Sequence, residues 1–282
     1  MDMKIIAKKI DQLGEGPTYD SKRNRVYWID ITGKKFHYLD LNDGSIYNFE
    51  SVGMISSIVP TNIDLMAATI GHGFYSIDDQ ANHTLLFELK DESNETRFND
   101  GKADPEGRYV AGTMDLKESR PIGSLYVFNG KGVRRLLSNL TISNGIAWDT
   151  RRRIFYHIDT PTRKVRAYSF DAEMNIISKD IAVDFKEEQG SPDGMTIDSD
   201  GNLFVAHWGG SKLSVWDPER KRKIDEYDLP AKNITSAVFA GKGLNTLYVS
   251  SASSGDPEDL GGSLFELETQ YKGTPTFVFK IR

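Results

Sequence analysis

Four polar residues stand at the same place in successive copies of a repeated segment, and their side chains have the chemistry of a metal site. Glu15, Asn99, Asn144 and Asp193 each open a copy that continues to an aspartate, a turn and a strand-like stretch. Carboxylate and amide oxygens suit a hard divalent cation such as calcium, magnesium or manganese, and zinc also accepts carboxylate ligands. If the two carboxylates meet, they repel each other unless a cation lies between them.

Each of these residues also has a simpler interpretation as part of a turn. Asn144 precedes Gly145, Asp193 precedes Gly194, and such pairs are common where a chain reverses. Glu15, however, is a poor turn residue, and turn chemistry does not require the same phase in every copy. The shared phase therefore favours a common site over four separate turns.

The repeat predicts the elements that would bring these residues together. Two further copies begin at Ser57 and Ser236, so the six copies are spaced by 42, 42, 45, 49 and 43 residues. Each copy resolves into about four short stretches rich in aromatic and β-branched residues, and helical periodicity is not sustained. A repeat of this length with four strands is typical of a β-propeller blade. We therefore predict an all-β, six-bladed propeller with four-stranded blades, in which the first polar residue of each copy faces a central channel.

The repeats cover the chain almost end to end, which predicts a single domain over residues 1–282. Residues 3–10 are expected to supply the outer strand of the last blade and so close the ring. Residues 253–262 and the tail from Tyr271 are expected to be loops, with residues 277–281 as a candidate edge strand. Ser57, with Thr235 or Ser236, would add hydroxyl groups at the channel mouth.

Several other polar residues are expected to be structural. The aspartates inside the copies precede hairpin turns and are predicted to accept hydrogen bonds from the turn backbone; they are Asp20, Asp104, Asp149 and Asp198. The five histidines are scattered without ligand spacing. His157 and His207 are expected to be packing residues.

Composition excludes several classes of function. The net charge of −6 gives no electrostatic support to a nucleic-acid partner. The chain contains no cysteine, which excludes disulfides, thiolate nucleophiles and sulfur-ligated metals. The opening residues are not expected to act as a signal peptide, and no apolar run approaches membrane-spanning length. We expect a cytoplasmic protein that does not bind membranes.

A set of short motifs resembles one known family. In chain order they are LGEGP (13–17), YWID (27–30), RFNDGK (97–102), GTM (112–114), SNGIAW (143–148), SPDGM (191–195), HWGG (207–210) and NITS (233–236). With them the chain resembles the senescence-marker-protein-30, gluconolactonase and luciferin-regenerating-enzyme family, whose members are six-bladed propellers.

The resemblance implies an activity and a division of roles. The characterised enzymes of the family mostly hydrolyse aldonolactones, opening a sugar lactone to its acid. Glu15, Asn144 and Asp193 would be the protein ligands of one divalent metal ion, with calcium, zinc, magnesium and manganese as candidates. Arg97 and Asn99 would bind the substrate, and Asp193 would orient the attacking water or accept its proton.

Two segments depart from the family pattern. Residues 115–121 (DLKESRP) align poorly where some relatives place a substrate-contacting carboxylate on a lid, and Lys117 or Glu118 would stand there. Val215 occupies a position at which many relatives carry an arginine. Two other functions remain open at this point: hydrolysis of organophosphates or aryl esters at the same site, and a non-catalytic propeller whose ion is structural.

Overall fold

The strands of the chain form six separate antiparallel sheets. The structure, a computed structural model, describes residues 3–282, and within them each sheet contains four strands. Residues 1 and 2, with which the predicted domain begins, lie outside the described residues. The arrangement is a six-bladed β-propeller, which confirms the predicted fold class.

The strands follow the copies of the repeat, and each blade is built from its innermost strand outwards. Blade one contains β2 (Gly14–Asp20), β3 (Arg25–Asp30), β4 (Lys35–Asp40) and β5 (Ile46–Glu50). Blade two contains β6 (Ile55–Pro60), β7 (Met66–Ile70), β8 (Gly73–Ile77) and β9 (His83–Glu88). Blade three contains β10 (Thr96–Ala103), β11 (Tyr109–Asp115), β12 (Gly123–Phe128) and β13 (Val133–Leu140).

The second half of the ring repeats this plan. Blade four contains β14 (Ser143–Asp149), β15 (Ile154–Asp159), β16 (Lys164–Phe170) and β17 (Ile176–Asp184). Blade five contains β18 (Ser191–Ile197), β19 (Leu203–Trp208), β20 (Lys212–Asp217) and β21 (Arg222–Asp228). Blade six contains β22 (Asn233–Ala240), β23 (Thr246–Ala252), β24 (Leu264–Glu268) and, as its outermost strand, β1 (Met3–Ala7). A short 3₁₀ helix, Thr160–Thr162, follows β15.

The ring closes through its first strand. β1 pairs antiparallel with β24, with Met3 opposite Leu267 and Ile5 opposite Phe265. The amino-terminal strand thus completes the blade formed by the carboxyl-terminal copy, and it ends at Ala7, earlier than the residues 3–10 expected for it. This pairing ties the two ends of the repeat array together and leaves no open gap between blades six and one.

The hydrophobic core is divided among the six seams of the ring. Each core cluster joins residues of two neighbouring blades. At the seam between blades two and three, for example, Phe74 packs edge-on against Phe98 with ring centroids 5.0 Å apart. Burial of apolar side chains on both faces of each sheet, at about 25 cal/mol per Å², is the main force that holds the blades against one another.

The predicted role of the aspartates inside the copies is confirmed. Asp20 Oδ1 accepts hydrogen bonds from the backbone N–H of Lys22 and Arg23, and Asp149 Oδ1 does the same for Arg151 and Arg152. Asp104 and Asp198 cap their turns in the same way. These carboxylates lie at the ends of the innermost strands and fix the turns there.

The carboxyl-terminal tail crosses one end of the channel. Residues 274–277 line a small cavity of about 60 Å³ whose other walls come from the innermost strands of all six blades. Beyond it, the N–H of Phe279 donates to Pro60 O, and Phe279 O accepts from Asn62 N–H. Phe279 forms one isolated bridge with Thr61, so residues 277–281 dock as a strap and not as the edge strand considered from the sequence. Residues 253–262 lie in loops, as predicted.

Candidate functional site

A pocket of about 290 Å³ opens at the end of the channel opposite the tail. It brings together the five residues singled out by the repeat and the family motifs: Glu15, Arg97, Asn99, Asn144 and Asp193. Its volume is close to the lower bound for small-molecule sites, about 300 Å³. The innermost strands of blades one, three, four and five therefore converge on one cavity.

A β-bulge in every innermost strand aims these side chains. The pairing register shifts at the same point in all six blades: at Glu15/Thr18, Ile55/Ser57, Phe98/Gly101, Asn144/Ile146, Pro192/Met195 and Ile234/Ser236. A bulge leaves extra residues unpaired and turns a side chain out of the regular alternation. The polar residue of each copy is thereby directed toward the axis.

Glycines allow the strands to approach each other at the bulges. A Cβ atom on Gly145 would lie 2.8 Å from Asp193 O, and one on Gly194 would lie 2.7 Å from Thr235 O. Contacts of this length are too short for a side-chain carbon. The glycine that follows each of these site residues is thus required by close backbone packing around the axis.

The loops that lead into two of the site residues are held by equivalent aspartates. Asp30, at the end of β3, accepts hydrogen bonds from the N–H groups of Gln12 and Leu13, two residues before Glu15. Asp159, at the end of β15, accepts them from Thr141 and Ile142, two residues before Asn144. In both blades an aspartate thus holds the loop that leads into the innermost strand.

The backbone before each site residue is also bonded by a side chain of an adjacent blade or connection. Thr235 Oγ1 donates to Gly14 O at 2.6 Å, and Ser56 Oγ donates to Phe98 O at 2.7 Å. Asn99 Nδ2 donates to Ser143 O at 3.0 Å, and Thr160 Oγ1 donates to Pro192 O at 2.8 Å. The four carbonyls immediately precede Glu15, Asn99, Asn144 and Asp193.

This arrangement corrects the expectation for the two copies with hydroxyl groups. Ser57, Thr235 and Ser236 do not line the pocket. Ser57 Oγ instead contacts Thr69 Oγ1 at 2.7 Å and Tyr109 OH at 2.8 Å within the core. The residues inside the bulges are Ser56 and Thr235, and their hydroxyls hold neighbouring backbone. The sequence repeat was therefore read one residue late in these two copies, because the length of a bulge is not apparent from its residues.

The two site amides are oriented by hydrogen bonds. Asn144 Nδ2 donates to Thr160 Oγ1 at 2.9 Å, which leaves Asn144 Oδ1 on the side of Asn99 and the pocket. Asn99 Oδ1 accepts from Arg97 Nη1 at 2.9 Å, and its Nδ2 donates to Asn144 Oδ1 at 2.9 Å. Arg97, Asn99 and Asn144 thus form one chain of hydrogen bonds.

Negative charge is concentrated at the base of the pocket. Burial raises the pKa of Glu15 to about 8, and repulsion from Asp100 adds to the shift. Burial also raises the pKa of Asp193 well above its ordinary value, with repulsion from Glu15 as the next cause. Two cations oppose this charge: burial lowers the pKa values of Arg97 and Lys102, while attraction to nearby carboxylates resists that change. A cation between Glu15 and Asp193 would relieve their repulsion.

The donor set fits a hard ion only if an amide takes part. Among residues 3–282, no three His, Asp or Glu side chains converge as a metal site by themselves. A three-ligand set around Glu15 and Asp193 would have to include an amide oxygen, and the amides of Asn99 and Asn144 line the same pocket. Such a set consists of oxygen atoms alone, in keeping with the preference of calcium, magnesium and manganese.

Asp100 is a buried carboxylate that the sequence interpretation assigned no role. Its Oδ1 accepts from Gly101 N–H at 2.7 Å, and its Oδ2 has no hydrogen-bond partner among the described residues. Attraction between Asp100 and Lys102 acts on the pKa of both groups. Both lie in the RFNDGK motif, where charged residues two apart on one strand could have indicated a second charged layer.

The lid segment is held by a salt bridge and places one carboxylate at the pocket. Arg120 donates to both oxygens of Asp115, with Nη2 2.8 Å from Oδ1. Glu118 lines the pocket, whereas Lys117 pairs with Glu95 on the surface at 3.8 Å. Of the two residues considered for this position, Glu118 is the one at the site.

The other segment that departs from the family pattern does not reach the pocket. Val215 is fully buried in the core between blades five and six. Its difference from relatives therefore bears on packing and not on the pocket wall. His157 and His207 are also buried, bonded to Ser143 Oγ and Ser214 Oγ respectively, which confirms them as packing residues.

Sequence reasoning missed the upper wall of the pocket. It is formed by apolar residues from different blades and connections: Leu13, Met114, Ile142, Pro161 and Trp208. They come from strand ends and loops, where hydrophobic periodicity carries little information. The wall separates the polar base from solvent.

The fold agrees with the comparison to known proteins. The chain matches the family described as "SMP-30/Gluconolactonase/LRE-like region" over residues 13–253, and it belongs to that family. The resemblance inferred from the motifs is confirmed.

Three relatives illustrate the likeness. The chain is 35% identical to "Putative sugar lactone lactonase YvrE" of Bacillus subtilis, over 89% of this chain and 87% of that protein. It is 34% identical to "Regucalcin" of Gallus gallus, over 95% of each chain. The structure of a "calcium-binding protein, regucalcin" from Agrobacterium tumefaciens superimposes with a TM-score of 0.93 at 25% identity, covering 99% of this chain and 97% of that one. These names support a lactonase-type enzyme. The described residues contain no helix with the length and apolar character that a membrane crossing requires.

Proposed function

We propose that the protein is a metal-dependent hydrolase that opens a sugar lactone, such as an aldonolactone, to its acid. The observation that carries the proposal is the pair of buried carboxylates, Glu15 and Asp193, which line the same open pocket as the amides of Asn99 and Asn144. The lactonase named among the relatives supports the reaction class.

Glu15, Asn144 and Asp193 would hold the ion, whether it is calcium, zinc, magnesium or manganese. When bound, a divalent ion would stabilise the negative charge that develops on the ester oxygen during hydrolysis. The two carboxylates would stay ionised beside it, because the cation offsets the cost of burying their charge.

The remaining polar groups would bind and orient the substrate. Arg97 and Asn99 line the pocket and are joined by a hydrogen bond. Asn99 Nδ2 already donates to Ser143 O and Asn144 Oδ1, so Asn99 would offer its Oδ1 as an acceptor and Arg97 would offer its Nε and Nη2 as donors. They would hydrogen-bond the hydroxyl groups of the sugar and hold its ring against the base of the pocket. Glu118, on the lid, would accept a hydrogen bond from another hydroxyl group.

Asp193 is the residue that would move the proton. Water adds to the carbonyl carbon and the ring carbon–oxygen bond breaks. The proton of the water passes to the departing ring oxygen, so that the hydroxy acid is formed. Asp193 would accept that proton from the water and return it, since no histidine of the described chain lines the pocket.

The test compares variants in metal-dependent acidification with D-glucono-1,5-lactone. We expect Glu15→Ala and Asp193→Ala to abolish both metal binding and hydrolysis, because each removes a carboxylate ligand. Asn99→Ala should chiefly raise KM while the metal still binds. Asp198→Asn, which alters a turn at the far end of the same strand as Asp193, is the matched control and should keep its activity.

Two results would contradict the proposal. If Asp193→Ala retained full activity, the assignment of the site would be wrong. If wild-type protein hydrolysed no lactone of a gluconate, galactonate and pentonate panel while chelation still lowered its melting temperature, the ion would be structural.

A further inference from the structure

Trp208 occupies a position that belongs to an aspartate in two other blades. One pair before the bulge, in the pairing between the first two strands of a blade, Asp30 lies opposite Gly14 and Asp159 opposite Ser143. In blade five the residue opposite Ser191, at the same place in the register, is Trp208. These aspartates bond backbone N–H groups of nearby loops, and an indole ring cannot replace their carboxylate oxygens.

The loop before Asp193 is held by other groups, so Trp208 is not needed as an anchor. His207 Nδ1 is 2.8 Å from Gln189 O, and Arg163 Nη2 donates to Glu188 O at 2.7 Å. Arg163 Nη2 also donates to Phe185 O at 2.8 Å. The loop before Asp193 therefore does not depend on the side chain of Trp208 to hold it.

Trp208 is exposed where the other tryptophans are not. It is 40% exposed, whereas Trp28, Trp148 and Trp216 are 0%, 3% and 6% exposed. An indole left in water forgoes the large gain from burying an aromatic side chain. The exposed ring lines the pocket above Asp193, and its neighbours on the upper wall are apolar. The pocket thus has a charged base and an apolar wall with one aromatic face.

We propose that Trp208 is a specificity-determining residue whose indole face packs against the carbon–hydrogen face of the lactone ring. This inference rests on the proposed lactonase function and deepens it. The base of the pocket recognises hydroxyl and carbonyl oxygens, and Trp208 recognises the apolar side of the same ring. The substrate class is then a cyclic ester with hydroxyl groups toward one side and an apolar face toward the other.

The test separates binding from hydrolysis through the fluorescence of Trp208. D-gluconate, the product acid, is titrated into the metal-loaded protein. Because the other three tryptophans are buried, we expect a saturable change in tryptophan emission that is absent in Trp208→Phe and present in Trp216→Phe. In lactone hydrolysis, Trp208→Ala should raise KM about tenfold or more with kcat within about threefold, and Trp208→Phe should recover most of the loss. Tyr47→Ala, which removes an exposed aromatic ring from an outer strand, should change neither measurement.

The outcomes distinguish this inference from the proposed function. An active wild-type enzyme with the same KM in Trp208→Ala would overturn the role of Trp208 and leave the lactonase intact. A wild-type protein inactive on every lactone would overturn the proposed lactonase function. The gluconate titration would still test whether Trp208 contacts a bound sugar acid. If gluconate gave no emission change that depends on Trp208, or if Trp208→Ala altered only the oligomeric state, the inference would be wrong.

Discussion

Asp159→Asn should damage the site through the loop that Asp159 holds. The carboxylate is 7% exposed and accepts hydrogen bonds from Thr141 N–H at 3.0 Å and Ile142 N–H at 2.9 Å. A hydrogen bond to a charged group contributes about 1.5–3 kcal/mol, and a neutral one roughly half as much. Replacing the carboxylate by an amide should therefore lower the free energy of unfolding by about 1–3 kcal/mol.

The same change should disturb Asn144, which follows the held loop by two residues. A displacement of about 1 Å at a catalytic group can cost a hundredfold in rate. We expect Asp159→Asn to lower kcat/KM for lactone hydrolysis at least tenfold and to weaken metal binding, both measured on protein shown to be folded. Urea titration gives the stability, and isothermal titration calorimetry gives the metal affinity.

Asp149→Asn is the matched control within the same blade. Asp149 is 4% exposed and accepts hydrogen bonds from two backbone N–H groups, at 3.0 Å and 3.1 Å, but it lies at the other end of β14. The Asp149→Asn variant should lose a comparable free energy of unfolding and keep its activity and metal affinity. Equal activities in the two variants, or an unchanged stability of Asp159→Asn, would refute the reasoning.

Three further predictions concern acid stability, the tail and the close packing at the axis. Burial lowers the pKa of His157 to about 3, so between pH 6.5 and 3 the unfolded chain takes up a proton at this residue that the folded chain does not; the contribution of His157 to the free energy of unfolding should fall by about 3 kcal/mol from pH 7 to pH 4. In urea titrations at the two pH values, the difference in unfolding free energy between wild type and His157→Gln should shift toward the variant by about that amount at pH 4, and an unchanged difference would contradict the prediction. Phe279→Ala, at a fully buried position of the strap, should lower the free energy of unfolding by about 3–5 kcal/mol. Val278→Ala, at a neighbouring position that is 39% exposed, should lower it little. Equal effects of the two substitutions would show that the strap does not pack as described. Gly145→Ala should weaken metal binding, because the new Cβ would lie 2.8 Å from Asp193 O. Gly132→Ala, which has open space around it, should leave the metal affinity measured by calorimetry unchanged.

The number of blades and the convergence of the polar residues could be predicted because they depend on periodic features. Copies of 42–49 residues with four strand-like stretches allow few other architectures. Glu15, Asn99, Asn144 and Asp193 keep one phase, and the structure places all four at one pocket. Residues at the same position in each copy lie at the same height along the axis of the ring.

Other features could not be predicted because they depend on local geometry between distant segments. The hydroxyl copies were assigned to Ser57 and Ser236, while the bulges place Ser56 and Thr235 at the corresponding positions. A bulge shifts the phase by one residue without a characteristic sequence. Trp208 was overlooked because its meaning appears only when strand register is compared between blades. The course of the tail was unclear because Phe277 and Phe279 pack against blades far away in the sequence.

The bonds to the carbonyls before the four site residues make the site a property of the whole ring. Blades two and six carry none of the proposed ligands, yet Ser56 and Thr235 hold the backbone before Asn99 and Glu15. Deleting either blade would therefore remove support from the site as well as shorten the ring. A circular permutant that keeps the cyclic order of blades retains every one of these bonds, because none depends on where the chain begins. The number and order of the blades are thus constrained even in blades that hold no functional side chain.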